Sequence, residues 1–541
     1  MDCIFVNGSV RTLNPAQPHA QAIAVDKGRI AAVGLNRNLL SSYSSHDSKI
    51  IDLNGKTVLP GFTDSHTHFI AGGFSLQAVD LRGSTDPADF TRRIADRAAI
   101  TPTSRWVTGG GWDQETWPGA PLPHKDWLDS FTATTPVFVT RIDLHIGLAN
   151  SAALRLAGIT AATPDPCGGE IMRDSLTGEP TGILKDKAVK LIEQAMPRPS
   201  REERNGALKA ALQQAARNGV TSIHDITDWG NPDWSEWAAF NDFRQRGELT
   251  CRIFARLPLA DWDRRRNDFP VFQTGSAADP WLRFGGLKAF TDGSLGGRTA
   301  YFFEPYTDAP GYCGLLLDEM YPEGDMERRI KEADLAGLPV SVHAIGDRAN
   351  AMILDIFSRI TSVNPVRDRR FRIEHAQHLR PRDIQRMAEL GIVVSIQPAQ
   401  VFDDGGWAEL RIGEERCRMT YAFHSLAAAG VRLVSGSDWP VAPLDPLLGI
   451  YVAATRCTAD GRFPGGWHPE QRISALQAIE ACTVNAAYAE FAETEKGTIV
   501  SGKYADLVVL SEDPAAVEPA AIKDVKVLMT VAGGNVVYQS S

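Results

Sequence analysis

Residues 60–69 read PGFTDSHTHF and directly follow the apolar run TVL at 57–59. Side chains at i and i+2 of a strand share one face, so His66 and His68 aim both imidazoles at one point. A strand ending in this way presents two nitrogens to a metal ion. Taken alone, H-x-H also suits two polar residues on a surface turn, so the reading depends on ligands elsewhere in the chain.

From about residue 211 the chain alternates helix-like and strand-like segments. The strand-like ones are GVTSIHDI, LTCRIFARL, LRFGGLKAF, LPVSVHAIG, RFRIEHA, IVVSIQP and VRLVSGSD, each preceded by a helix candidate. In ALKAALQQAARNG and RDIQRMAELG, apolar residues recur at three or four positions and glycine closes the helix. With TVLPGFTDSHTH the strands number eight, the outline of a (β/α)8 barrel, whose active residues stand at strand C-terminal ends.

The first fifty-odd residues carry short β-like runs with Lys-Gly and Asn-Gly turns, and GTIVSGKYADLVVL and VKVLMTVAGGNVVYQ near the other end share that character. Short strands need a partner sheet, so the two ends are expected to form one composite β-sandwich. The expected division is 1–57 as the first part of the sandwich, 58–489 as the barrel, and 490–541 as the second part. An insertion at about 77–210, with pieces such as RWVTGGGWD, TPVFVTRIDLH and the hairpin-like GGEIMRDSLTGEPTG, is expected to cap the barrel mouth. SALQAIEACTVNAAYAEF reads as the closing helix, with Asn485 packing or capping it.

Composition narrows the function. At 541 residues the chain exceeds one compact core, and its apolar share of 43% and charged share of 23% are those of a soluble globular protein. A net charge of −10 without Lys/Arg clusters argues against a nucleic-acid partner. No run of about 18 apolar residues suggests a membrane span, and the start lacks a signal-peptide pattern, so a cytoplasmic location is expected. Seven scattered cysteines supply neither a disulfide framework nor a C-x-x-C site.

Sorted by position on the strands, metal-compatible side chains gather at C-terminal ends. His66 and His68 close the first strand, Lys288 lies in the fourth, His343 ends the fifth, His375 the sixth, and Asp438 the eighth. The chain has twelve histidines in all, so four of them at strand ends is a marked concentration. His378 is less suited than His375, because it falls in the loop after RFRIE. Around the site, Trp112, Asp113, Asn150, Asp292, Arg298 and Gln397 are candidates for substrate contact, and His145 and His224 could reach the cavity. Asn150 also suits a helix cap for SAALRLAG, and Lys288 could instead pair with Asp292.

PGFTDSHTH, the lone Lys of the fourth strand, His in the fifth and sixth, and Asp in the eighth together resemble the amidohydrolase superfamily. GGGWD, NSAAL, GGEIMRD, PTGILKD, LKAFTDGSLGGRTA, RIEHAQ and SGSDWPV resemble its family 3 across nearly the whole chain. The resemblance implies that His66, His68, His343, His375 and Asp438 bind one or two divalent metal ions, zinc being the best match. Lys288, carboxylated by carbon dioxide, would bridge them. It further implies hydrolysis of an amide or formamide-like C–N bond of a small molecule by metal-activated hydroxide, with Asp438 moving the proton, and a homodimer. Ring-amine deaminases of the superfamily use a Glu three residues beyond the fifth-strand His. Here that position is Gly346, which counts against deamination. A barrel that only binds and regulates is the remaining alternative.

Overall fold

The computed structural model describes residues 2–44, 48–102, 105–114, 117–141, 146–166, 169–186, 188–228, 231 and 233–540. The chain forms two compact units, Met1–Phe69 with Ala211–Ser541, and Ile70–Ala210.

Eight strands make the central sheet of the first unit: β1 (Phe62–Thr67), β2 (Val220–Ile226), β3 (Arg252–Pro258), β4 (Leu282–Phe290), β5 (Val340–Ala344), β6 (Arg372–His375), β7 (Val393–Ile396) and β8 (Arg432–Ser435). They lie in chain order and every neighbouring pair is parallel. A parallel bridge from Thr67 to Trp439 links the edges, so the sheet is nearly closed as a barrel. β1 and β2 are buried at every residue, as strands covered on both faces must be. Helices such as Asp347–Val363 and Pro381–Glu389 supply that cover, the former burying Ile353, Leu354, Phe357 and Ile360.

The run TVLPGFTDSHTH, expected as one strand, is two. Thr57–Pro60 pairs antiparallel with Leu507–Leu510 in a six-stranded sheet, whereas Phe62–Thr67 enters the barrel. Gly61 marks the parting, because a Cβ there would lie 2.3 Å from Thr221 Oγ1. Cys3–Val6, Ala22–Asp26, Arg29–Gly34 and Lys49–Asp52 form a separate four-stranded sheet. Phe5, Val25 and Ile30 of this sheet share an apolar cluster with Val58, Leu507 and Val531 of the six-stranded one. The N-terminal region also holds a helix, Asn36–Tyr43, where only strands were expected.

The second unit is built on a six-stranded mixed sheet. Gly169–Arg173 and Pro180–Asp186 form the expected antiparallel hairpin. The closing helix of the first unit is interrupted: Ser474 caps Ala475–Ala481 with a capping box, and a second helix runs Val484–Ala489. Asn485 is not its cap, which is Thr483, but lies half-buried within the second helix and accepts a hydrogen bond from Arg432 of β8. Among the described residues no helix is long and apolar enough to cross a membrane.

Candidate metal centre and substrate cleft

The parallel sheet brings residues far apart in sequence to one rim. His66 Nε2 and His68 Nε2 each lie 3.4 Å from Asp438 Oδ1, and ligand atoms of these three residues fall within 4.8 Å of one another. Ring centroids of His66 and His375 are 5.0 Å apart, and those of His375 and His343 are 4.6 Å apart. Lys288 extends from β4 with its Nζ 3.8 Å from the Phe290 ring centroid. Both Lys288 Nζ and His375 Nδ1 are buried without a hydrogen-bond partner. Such orphaned atoms are uncommon in native interiors and call for a ligand.

Electrostatics keep the set ready to bind a cation. Burial pushes His375 down to about 3 and His66 below its ordinary value, leaving neutral imidazoles with free lone pairs. Burial opposes ionisation of Asp438, yet His66, His68 and His375 outweigh it and hold the carboxyl below the usual range. Burial also lowers Lys288 to about 8. His375 and Asp438 have φ of 72° and 60°, left-handed values that side chains other than glycine seldom adopt and that recur where function constrains the backbone.

A supporting layer fixes these ligands. His66 Nδ1 meets Glu374 Oε2 at 2.8 Å, and Arg372 Nε lies 2.8 Å from Glu374 Oε1. Burial would raise Glu374, but Arg372 and His66 hold it well below the carboxylate range. Asp64 accepts the backbone amides of His66 and Ser437 at 3.1 and 3.0 Å, tying the loop after β8 to β1. Asp292 accepts amides of Tyr301, Ile345 and Gly346. Its carboxylate is therefore spent on backbone, and it makes no hydrogen bond with Lys288.

The ligands open on a cleft of about 540 Å³, walled by Phe290, Leu317, Ile345 and Trp407 and edged by Gln377, Gln400, Asp403 and Asp404. Gln400 Nε2 donates to Asp438 Oδ2 at 3.0 Å. A family profile described as the amidohydrolase family matches residues 49–538. The chain belongs to the amidohydrolase family. It is 38% identical over 546 residues to the protein LONG AFTER FAR-RED 3 of Arabidopsis thaliana, covering 99% of this chain and 91% of that one. It is 29% identical over 555 residues to the N-substituted formamide deformylase of Arthrobacter pascens, covering 99% and 98%. The solved structure of an uncharacterized metal-dependent hydrolase from Pyrococcus furiosus superposes with a TM-score of 0.78 at 27% identity, covering 95% of this chain and 99% of that one. The protein is accordingly a hydrolase acting on carbon–nitrogen bonds.

Several residues expected at the substrate are held by partners of their own. Trp112 is fully buried in an apolar cluster of the second unit with Phe90 and Trp117, because its large ring completes that core. Asp113 pairs with Arg141 at 2.7 Å in the same unit. Asn150 caps the helix Ser151–Leu156 and also accepts from Val137 N, a structural role that consumes its amide. His224 is wholly buried and meets Arg372 Nη1 at 2.9 Å, away from the cleft. Arg298 is bound to Asp308 at 2.9 Å, and Gln397 turns its amide back onto Ser395. His145 lies outside the described residues. Asp292 lines the cleft. His378 is held by Thr420 at 2.8 Å, apart from the cluster that His375 joins. Sequence reasoning passed over Glu374, Gln377, Gln400, Asp404 and Trp407. The available signals were the i, i+2 relation of His375 to Gln377 and the i, i+4 relation of Gln400 to Asp404.

Proposed function

We propose that this amidohydrolase cleaves the C–N bond of a small amide or formamide-like molecule at the rim formed by β1, β4, β5, β6 and β8. The observation that carries this reading is the convergence of His66, His68 and Asp438 beside the unpartnered Nζ of Lys288 and Nδ1 of His375. Imidazoles and a carboxylate suit zinc or a similar divalent ion, and the orphaned atoms are the ones such a site would occupy. His66, His68, His343, His375 and Asp438 would hold one or two ions, and Lys288 as its carbamate would add an anionic ligand. A bound ion supplies Lewis-acid activation of water and of the substrate carbonyl.

The chain's own groups do the rest. Glu374 orients His66 through Nδ1, which leaves Nε2 facing the cleft. Gln400 holds one oxygen of Asp438 while the other faces the histidines. Asp438 is thereby positioned to take the proton of the attacking water and deliver it to the leaving nitrogen. The apolar walls exclude bulk water and receive the substrate's carbon skeleton. The formamide deformylase relative supports formamides as the first substrates to try. In the same reading, the two terminal sheets with their shared apolar cluster form a composite sandwich.

The test is a hydrolysis screen over formamides, N-acyl amines and cyclic imides with elemental analysis of the purified protein. Metal-containing protein that hydrolyses at least one class, and loses activity on His66→Ala, is expected. Chelation should abolish turnover, and zinc with bicarbonate should restore more than zinc alone. Metal-containing protein inert on all three classes would refute the reading.

A further inference from the structure

The cleft carries an acid that the chemistry above leaves unused. Asp404 ends the helix Pro398–Asp404, four residues beyond Gln400, and side chains so spaced share a helix face with Cβ atoms about 5–6 Å apart. Because Gln400 touches Asp438, Asp404 stands about one helical turn from the reacting end. Its Oδ2 accepts from the Tyr421 hydroxyl at 2.7 Å and from Gln377 Nε2 at 3.0 Å, which fixes the carboxylate. Among the described residues nothing donates to its Oδ1, and the half-buried side chain lines the cleft.

The surroundings select the sign of what Oδ1 can meet. Asp403 and Trp407 stand beside Asp404, and no lysine or arginine is among the described residues lining the cleft. An anchored carboxylate suits an ammonium group through a charge-assisted hydrogen bond, and the Arg411 guanidinium 5.7 Å from the Trp407 ring centroid shows that a cation is accepted beside that ring. A substrate carboxylate in that place would face two like charges, the repulsion by which sites reject wrong ligands.

We propose that Asp404 is a specificity-determining residue that receives a second, cationic amine of the substrate, making singly acylated or formylated diamines the preferred class. The inference rests on the amide-hydrolase reading of the same site. Burial pushes Asp404 up to about 6, against the donors Tyr421 and Gln377. Mildly alkaline assays therefore keep it ionised.

The experiment measures kcat/KM of the metal-loaded, full-length enzyme on N-alkylformamides of equal length ending in ammonium, methyl or carboxylate. The parent should prefer ammonium over methyl by roughly tenfold or more, the scale of one charge-assisted hydrogen bond, and should use carboxylate least. In Asp404→Asn the ammonium preference should collapse toward unity. A parent without that order, or a folded variant that keeps it, would overturn the proposal. Should the variant fail to fold, the parent's ranking decides alone. If no formamide is cleaved, the amide-hydrolase reading stands or falls on the three-class screen above, and calorimetric titration of the parent with an alkylamine and the alcohol of equal length decides this one. Tighter binding of the amine supports it, and equal affinities refute it.

Discussion

Replacing Lys288 by methionine should stabilise the metal-free protein while abolishing its activity. The Nζ is buried, makes no hydrogen bond, and faces the Phe290 ring. Its fall from an ordinary 10.5 to about 8 through burial corresponds to roughly 3 kcal/mol of disfavoured charge. The sign follows from linkage. Below about pH 8 the lysine is protonated in both folded and unfolded chains, so the folded state bears the whole penalty. Between about 8 and 10.5 the folded lysine sheds its proton while the unfolded one keeps it, and the penalty shrinks to nothing. Methionine has similar length and no charge, so Lys288→Met should gain roughly 3 kcal/mol near neutral pH and lose that advantage above about pH 10. Chemical denaturation of chelated protein at the two pH values reads the difference directly. A variant less stable than the parent near neutral pH, or one whose advantage is the same at both, would refute the account of Lys288 as an unpartnered buried cation.

Glu374→Gln should weaken metal binding roughly 10- to 100-fold, because His66 Nδ1 loses its carboxylate partner; competitive titration with a chromophoric chelator checks it, and unchanged affinity would deny Glu374 that role. Asp438→Asn should retain much of its metal by elemental analysis yet lose roughly two to four orders of magnitude in kcat, as expected when a general acid–base group is removed. Near-normal turnover would remove Asp438 from the proton path. Asn150→Ala should destabilise the second unit by roughly 2–4 kcal/mol, since it removes a helix cap and leaves buried groups at Val137, Thr132 and Thr135 without partners. Hydrogen exchange faster across Ile70–Ala210 than across the barrel strands is the expected signature.

Much of the architecture was legible in the chain because its determinants are local. Two-residue periodicity marks Val340–Ala344 as a strand, three-to-four-residue periodicity with a closing glycine marks the helix before Gly391, and Ser474 announces its capping box. H-x-H reads as a convergent pair for the same reason, since the geometry of i and i+2 is contained in three residues. Trp112 and Asn150 misled because an aromatic or amide side chain has the same identity in a core, a cap or a binding wall, and burial alone distinguishes them.

Tertiary structure decided what depends on sheet closure. The contact of His66 with Glu374 joins residues 308 positions apart, and no local pattern encodes which carboxylate a strand will face once eight strands curve together. Likewise, Gln400 and Asp404 are an ordinary helical pair until the loop after β8 brings Asp438 against Gln400 and the segment before Phe423–Ala428 brings Tyr421 against Asp404. Residue type and spacing therefore set which chemistry the strand ends could perform. Long-range packing set which side chains hold those groups in place, because hydrogen-bond partners across a barrel are chosen by register and closure, not by neighbours in the chain.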